Sequence, residues 1–293
     1  MLNLTRYPDA NAFLAAAGEV LYASEALHSL MIGIVERLTG DLNYYGEGQP
    51  YLAVVSDQEG PLLAGTMTPP FGLVLAALRE DAARGIPLLV GDLVGSDWGL
   101  PNAQGETRFA RLFAQEWAAQ TGGTYHKEMD MRLYVLHQVT HPENVPGEML
   151  LGTIDDLETI TRWLHGFETE ALNEDRSEEH LRKVVEGQIS RRGWYLWWDE
   201  GEPVSMCILT RPTRTGVSVS GVYTPRELRG RGYASACVAA LSQHLLDEGY
   251  AFTSLFTDLA NPTSNSIYMQ IGYQPLADFD KYKLVIGDQA SGE

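Results

Sequence analysis

A chain of 293 residues with 39 acidic against 21 basic side chains carries a formal net charge of -18, a field that repels nucleic-acid phosphates and anionic lipid surfaces. No apolar run approaches the roughly 20 residues that a membrane-spanning helix needs, and no basic region leads into a signal-like core, so a cytoplasmic protein with no nucleic-acid or membrane partner is expected. Two cysteines and seven histidines fall without disulfide or metal-ligand spacing, so no metal is expected, and the length exceeds a typical single domain.

Taken in chain order, hydrophobic periodicity predicts helices over Asn11–Ala17 and Ala23–Leu38 and strands over Tyr51–Ser56, Pro61–Thr68 and Leu88–Val94. A helix over Glu106–Gln120 and a strand over Arg132–Val139 follow. His141-Pro142-Glu143-Asn144-Val145-Pro146-Gly147, with two prolines and a glycine, suits a short linker. Beyond it come a strand at Met149–Ile154, helices at Leu157–Ala171 and Glu178–Arg192, and strands at Trp194–Trp198 and Pro203–Thr210. The second half therefore echoes the first, and the expected division is 1–140, a linker at 141–147, and 148–293. Cys207 and Cys237 read as packed thiols, and Trp194, Trp197 and Trp198 as core packing or the border of a cleft.

Two stretches of the second half carry chemistry. In the first, a strand over Val217–Thr224 is stopped by Pro225, and Ala234, Val238, Leu241 and Leu245 recur at helical spacing after the break. Gly230 and Gly232 between them let the backbone turn sharply and approach a ligand, while the unpaired first amides of the helix attract an anion such as a pyrophosphate. In the second, Asn261-Pro262-Thr263-Ser264-Asn265-Ser266-Ile267-Tyr268 follows a strand at Phe252–Thr257, with Asn261 as N-cap, Pro262 at the first helical position and Gly272 past the end. Tyr268 lies on that short helix.

In order and in register, these motifs resemble the GNAT superfamily of N-acetyltransferases. Arg229, Gly232 and Ala234 fit its Arg/Gln-x-x-Gly-x-Gly/Ala signature, and Asn261, Ser264 and Tyr268 fit its Asn-x-x-Ser/Ala-x-x-x-Tyr helix. The resemblance implies an α/β fold, with two GNAT-like domains in tandem, each a mixed central sheet flanked by helices. It also implies acetyl-CoA as cosubstrate. Two parallel strands would splay to admit pantetheine, the backbone of Val222, Tyr223 and Thr224 would bond its amides, and Arg229, Gly230, Arg231, Gly232, Tyr233 and Ala234 would grip the pyrophosphate. An amide near Val222 would hold the oxyanion of a tetrahedral intermediate, and Tyr268 would protonate the departing thiolate. Glu170, Glu174, Asp175 and Asp258 are positioned to be considered as a base, without a choice among them.

The first half lacks both motifs. After its strand ending near Val94, Gly95-Ser96-Asp97-Trp98-Gly99-Leu100-Pro101-Asn102-Ala103-Gln104-Gly105 has no Arg-x-x-Gly-x-Gly/Ala pattern, so one active site is expected, with a degenerate first domain. The expected acceptor is a small-molecule or amino-acid-like primary amine. A non-catalytic acyl-CoA sensor and a lysine or N-terminal protein acetyltransferase stay open as alternatives, as does a homodimer.

Overall fold

The computed structural model describes residues 1–96, 98–172 and 175–287. The first part of the chain forms β1 (Asn3–Arg6), α1 (Ala10–Ala23), α2 (Ser29–Gly40), β2 (Tyr51–Asp57), β3 (Gly60–Met67), β4 (Leu73–Ala77), α3 (Ile86–Val94), β5 (Asn102–Glu106), α4 (Thr107–Thr121) and β6 (Thr124–Leu136). There follow β7 (Glu148–Leu151), α5 (Leu157–Phe167), α6 (Glu178–Ser190), β8 (Trp194–Asp199), β9 (Glu202–Thr210), β10 (Gly216–Tyr223), α7 (Tyr233–Asp247), β11 (Phe252–Asp258), α8 (Pro262–Ile271) and β12 (Gln274–Val285). Among the described residues, no helix is long and apolar enough to cross a membrane.

These elements gather into two compact units. One comprises Met1–Leu133, Thr257–Ala260 and Leu276–Glu293, the other Tyr134–Phe256 and Asn261–Pro275. In the first, strand order runs β1-β2-β3-β4-β5-β12-β6, so the last strand of the chain lies beside β5, antiparallel to it from Phe279↔Glu106 to Lys283↔Asn102. Its two faces are covered separately. Phe13, Leu21, Ile32 and Val35 of α1 and α2 pack on Leu52, Val54 and Val74, while Leu89 and Val90 of α3 and Phe113 and Trp117 of α4 pack on Val55, Leu63 and Leu75.

The second unit has the order β11-β10-β9-β8-β7 and the same two-faced construction. Alternation along β8 sends Trp194 and Leu196 toward Ile160, Leu164 and Leu181 of α5 and α6, and Tyr195 and Trp197 toward the core under α7. Both tryptophans are thus sheet cover. β8 and β9 are joined by Glu200 and Gly201 at φ 51° and 84°, the two positive angles of a type I′ turn. Cys207 of β9 and Cys237 of α7 are buried free thiols, their sulfurs 3.2 Å apart.

Three expectations for the first half are corrected. Leu88–Val94 is not a strand but most of α3, since Leu89, Val90 and Leu93 form a buried helical face behind Pro87 in the first turn. A short unbroken apolar run does not distinguish the two states. The strand that precedes it is instead Leu73–Ala77, screened in sequence by Pro69 and Pro70, and residues 102–106 are β5 rather than loop. The counterpart of the glycine turn is therefore Leu78-Arg79-Glu80-Asp81-Ala82-Ala83-Arg84-Gly85, which also lacks the Arg-x-x-Gly-x-Gly/Ala pattern; Asp97 of the segment first considered lies outside the described residues.

Candidate active site

The site is built where β10 and β11 part. These parallel strands pair only at Gly216↔Phe252, Val217↔Thr253 and Ser218↔Ser254, and the ladder then ends. From Val219 onward the edge of β10 facing the gap offers backbone groups that need partners. On its other edge, Ser220 pairs with Ile208 and Tyr223 with Met206, so Gly221 and Val222 together oppose one residue of β9. This is a β-bulge, which releases an amide from the ladder and re-aims it. Gly221 has φ 54°, and a Cβ there would stand 2.9 Å from Ile208 Cγ2, so both conformation and space call for glycine.

Beyond Pro225 the chain makes one 3-10 turn, Arg226–Leu228, and passes through Gly230 at φ 79° and Gly232 at φ 86°. Gly232 is the N-cap of α7, and no side chain caps that helix. Its carbonyl accepts the Ala236 amide at 3.0 Å, which leaves the amides of Tyr233, Ala234 and Ser235 as the open first-turn donors. A Cβ at Gly232 would come within 2.8 Å of Val145 Cγ2, whereas one at Gly230 meets nothing within 4 Å. The Tyr233 side chain is turned inward, its hydroxyl donating to Asp199 Oδ2 at 2.5 Å, so only its amide faces the loop; Arg231 is exposed beside it.

Arg229 is anchored rather than free. Its Nε donates to the Thr224 carbonyl at 2.8 Å, its Nη2 to Glu170 Oε2 at 2.9 Å, and its guanidinium lies 5.6 Å from the centre of the Tyr223 ring. The Tyr223 hydroxyl and Arg226 Nε both donate to Glu170 Oε1 at 3.2 Å. Burial alone would raise the Glu170 carboxyl, but the hydrogen bonds of Arg226 and Arg229 outweigh it and hold the group below the ordinary carboxylate range. Ser205 Oγ donates to the Tyr223 carbonyl at 3.1 Å and stands 2.9 Å from Thr224 Oγ1. The carbonyls of Tyr223 and Thr224 thus already have donors, while Val222 lies in the bulge.

Asn261 caps α8 by accepting the Ser264 amide on its Oδ1 at 3.1 Å, and Asn265 ties the same turn by donating to the Asn261 carbonyl at 2.7 Å. Asn265 also accepts from the Tyr134 hydroxyl at 2.9 Å. These bonds fix the helix that carries Tyr268. The Tyr268 ring is 7% exposed and meets Tyr273 edge-on at 6.0 Å. Among the described residues no hydrogen-bond partner takes its hydroxyl, and burial, followed by the neighbouring Tyr273 and Cys207, raises its pKa, so it stays a protonated donor near neutrality.

An open parallel pair, a bulge at its mouth and a glycine-capped helix with open first-turn amides thus stand in sequence along residues 216–258. Residues 157–273 match the model of the acetyltransferase (GNAT) family. This segment is a GNAT acetyltransferase domain. Acyl transfer from acyl-CoA, with acetyl-CoA as the general donor, is the chemistry of that family. Solved structures agree on the fold across nearly the whole chain. A GCN5-related N-acetyltransferase from Sphaerobacter thermophilus is 15% identical, with a TM-score of 0.66 over 98% of this chain and 96% of that one. A GNAT-family acetyltransferase from Colwellia psychrerythraea is 11% identical, with a TM-score of 0.57 over 97% and 100%. A tandem GNAT protein from the clavulanic acid biosynthesis pathway is 12% identical, with a TM-score of 0.56 over 97% and 98%. No curated protein matches the sequence.

Within the GNAT domain, the carboxylates considered as bases are differently employed. Glu170 is held ionised by two arginines, which makes it a poor proton acceptor. Asp175 is exposed and 3.1 Å from His165 Nε2. Asp258 accepts the Ala260 amide at 2.7 Å, and Glu174 lies outside the described residues. Sequence reasoning missed the role of Ser205 and the gathering of Tyr223, Arg226 and Arg229 on Glu170. Their only common signal is polarity, since these partners stand 53, 56 and 59 positions from Glu170.

Proposed function

We propose that the second unit transfers the acetyl group of acetyl-CoA to the primary amine of a small-molecule or amino-acid-like acceptor. The observation that carries this reading is the gap between β10 and β11 beyond Ser218 and Ser254, with the Gly221–Val222 bulge at its mouth. Pantetheine amides complete the free edge of β10, and the pyrophosphate meets the open amides of Tyr233, Ala234 and Ser235 together with the Gly230–Gly232 turn. The amide released near Val222 is aimed at the oxyanion, a contribution of about 3 kcal/mol for a preorganised donor.

The amine nitrogen bonds to the acyl carbon, the carbon–sulfur bond breaks, and the proton of Tyr268 goes to the thiolate. A free alkylamine with a pKa of about 10 must first lose its own proton, at roughly 1.4 kcal/mol for each unit between that value and ambient pH. With Glu170 committed to arginines, a solvent-borne base takes this proton; the second proton, shed by the nitrogen as the amide forms, also passes to solvent, from which Tyr268 is reprotonated.

Thiol release from acetyl-CoA with a panel of small amines, amino acids and peptides tests the reading. Amine-dependent release by the unchanged chain, with Tyr268→Phe retaining acetyl-CoA binding but losing at least about a hundredfold in kcat, is the expected result. Tight acetyl-CoA binding with no transfer to any acceptor would make the domain a sensor, and transfer to peptides alone would make it a protein acetyltransferase.

A further inference from the structure

The start of α7, where the first-turn amides stand open, is backed by a segment that lies between β6 and β7 in sequence. There Asn144 at φ 58° and Gly147 at φ 107° flank Val145-Pro146. The segment is fastened to β8. Trp197 Nε1 donates to the Pro146 carbonyl at 2.9 Å, and a Cβ at Gly147 would meet the Trp198 carbonyl and, at 2.7 Å, Trp197 Nε1. Trp197 is itself buried in the core under α7, so its indole is a fixed anchor. Val145, half-buried, packs on the same core and stands where a Cβ of Gly232 would go, its Cγ2 2.8 Å from that position. Apart from the chain neighbours of Gly232, the three atoms nearest that position all belong to Val145.

We propose that Val145 is a positioning residue of the donor site, held in place by Trp197 through Pro146, and that it keeps the Gly230–Gly232 turn in the form that receives a diphosphate. This role rests on the acetyl-CoA reading above and brings into that site a segment that precedes β7. Its physical basis is the freedom of glycine. Two glycines within three residues leave the turn many conformations besides the observed φ of 79° and 86°, and α7 has no side-chain cap to select among them. Val145 blocks those that would bring Gly232 closer to the Pro146 segment. Tyr233, its hydroxyl bound to Asp199 at 2.5 Å just beyond Trp198, pins the next residue to the same end of β8. A turn restrained in both ways presents the amides of Tyr233, Ala234 and Ser235 already aimed. A freed turn must be ordered as the ligand arrives, and that ordering weakens binding.

Calorimetric titration of the full chain with acetyl-CoA, alongside Val145→Ala, Val145→Ile, Gly232→Ala and the double variant Val145→Ala/Gly232→Ala, tests the role. Val145→Ala should weaken binding about tenfold, the equivalent of one misdirected amide-to-phosphate bond, while Val145→Ile, which keeps the branched Cβ, should bind as the unchanged chain does. Direct contact has a second signature. In the Val145→Ala background a Cβ at Gly232 meets only the Cβ of residue 145, 3.9 Å away, so Gly232→Ala should cost at least about threefold less affinity there than in the unchanged chain. A residue that only stabilised the fold would give additive losses. Trp197→Phe, which keeps an aromatic ring and drops the donor to Pro146, should also weaken binding and decides the matter if Val145→Ala does not fold; an unchanged affinity there overturns the role. Failure of the unchanged chain to bind acetyl-CoA would overturn the donor-site reading and this role with it. Binding by the unchanged chain with equal affinity in Val145→Ala, equal losses in Val145→Ala and Val145→Ile, or additive losses in the double variant would overturn the role alone.

Discussion

Glu170 holds two of the cations beside the Gly230–Gly232 turn, and removing its charge releases them. Glu170→Gln is expected to tighten CoA binding about threefold to tenfold, because Arg226 and Arg229 no longer divide their charge between a carboxylate and the ligand. Calorimetric titration decides the sign; weaker binding would mean that Glu170 presents the arginines rather than withholding them. His28 gives a second prediction, on stability. Its pKa, lowered by burial to about 4 in the folded chain, lies below the unfolded value of about 6.5, so the unfolded state binds the extra proton in that window and stability falls as pH drops through it. The loss by pH 4 amounts to about 3 kcal/mol at most. Urea midpoints of the unchanged chain and His28→Gln, taken near pH 7 and pH 5, should diverge at neutral pH and converge in acid. Parallel curves would refute the linkage.

At the level of the element, the three glycines of the site are needed for different reasons. Gly230→Ala costs only the positive φ, about 1 kcal/mol, while Gly232→Ala adds the clash with Val145 and displaces the start of α7. Acetyl-CoA affinity should therefore fall more in Gly232→Ala than in Gly230→Ala, and equal losses would assign the effect to conformation alone. Gly221→Ala strains the bulge and meets Ile208, and is expected to cost about 2 kcal/mol and to lower kcat more than it weakens CoA binding. The glycine turn and the Asn261-capped helix were legible in the sequence because φ preference and capping are local properties. Leu73–Ala77 was not, since two prolines and a brief apolar run hid it, and Leu88–Val94 had the composition of either a strand or a helix. Nor did any local signal disclose the bulge, because a bulge belongs to the register between β9 and β10 rather than to either strand alone.

On the scale of the molecule, the pattern of two similar halves was readable, but the destination of the last strand was not. β12 follows α8 of the GNAT domain in sequence, yet residues 276–285 belong to the first unit. Tyr282 and Leu284 are part of the core under α3 and α4. Asp280, 2% exposed, accepts from Thr107 Oγ1 at 3.2 Å and the Tyr282 hydroxyl at 3.0 Å and pairs with Lys127 at 3.0 Å. Removing residues 276–293 should therefore unsettle the first unit more than the GNAT domain. Hydrogen exchange would show it as lost amide protection in β2 through β5 with α7 still protected; the reverse pattern would refute it.

The place of β12 also sets an order of events during synthesis. The ribosome must make every residue of the GNAT domain before it reaches residues 276–285, so the first unit, although translated earliest, waits longest for its full sheet. Until then β5 presents an unpaired edge, a state open to strand addition from other nascent chains. A fragment ending before β7 would carry that same exposed edge permanently, and co-expression with a peptide spanning β12 is the direct way to close it.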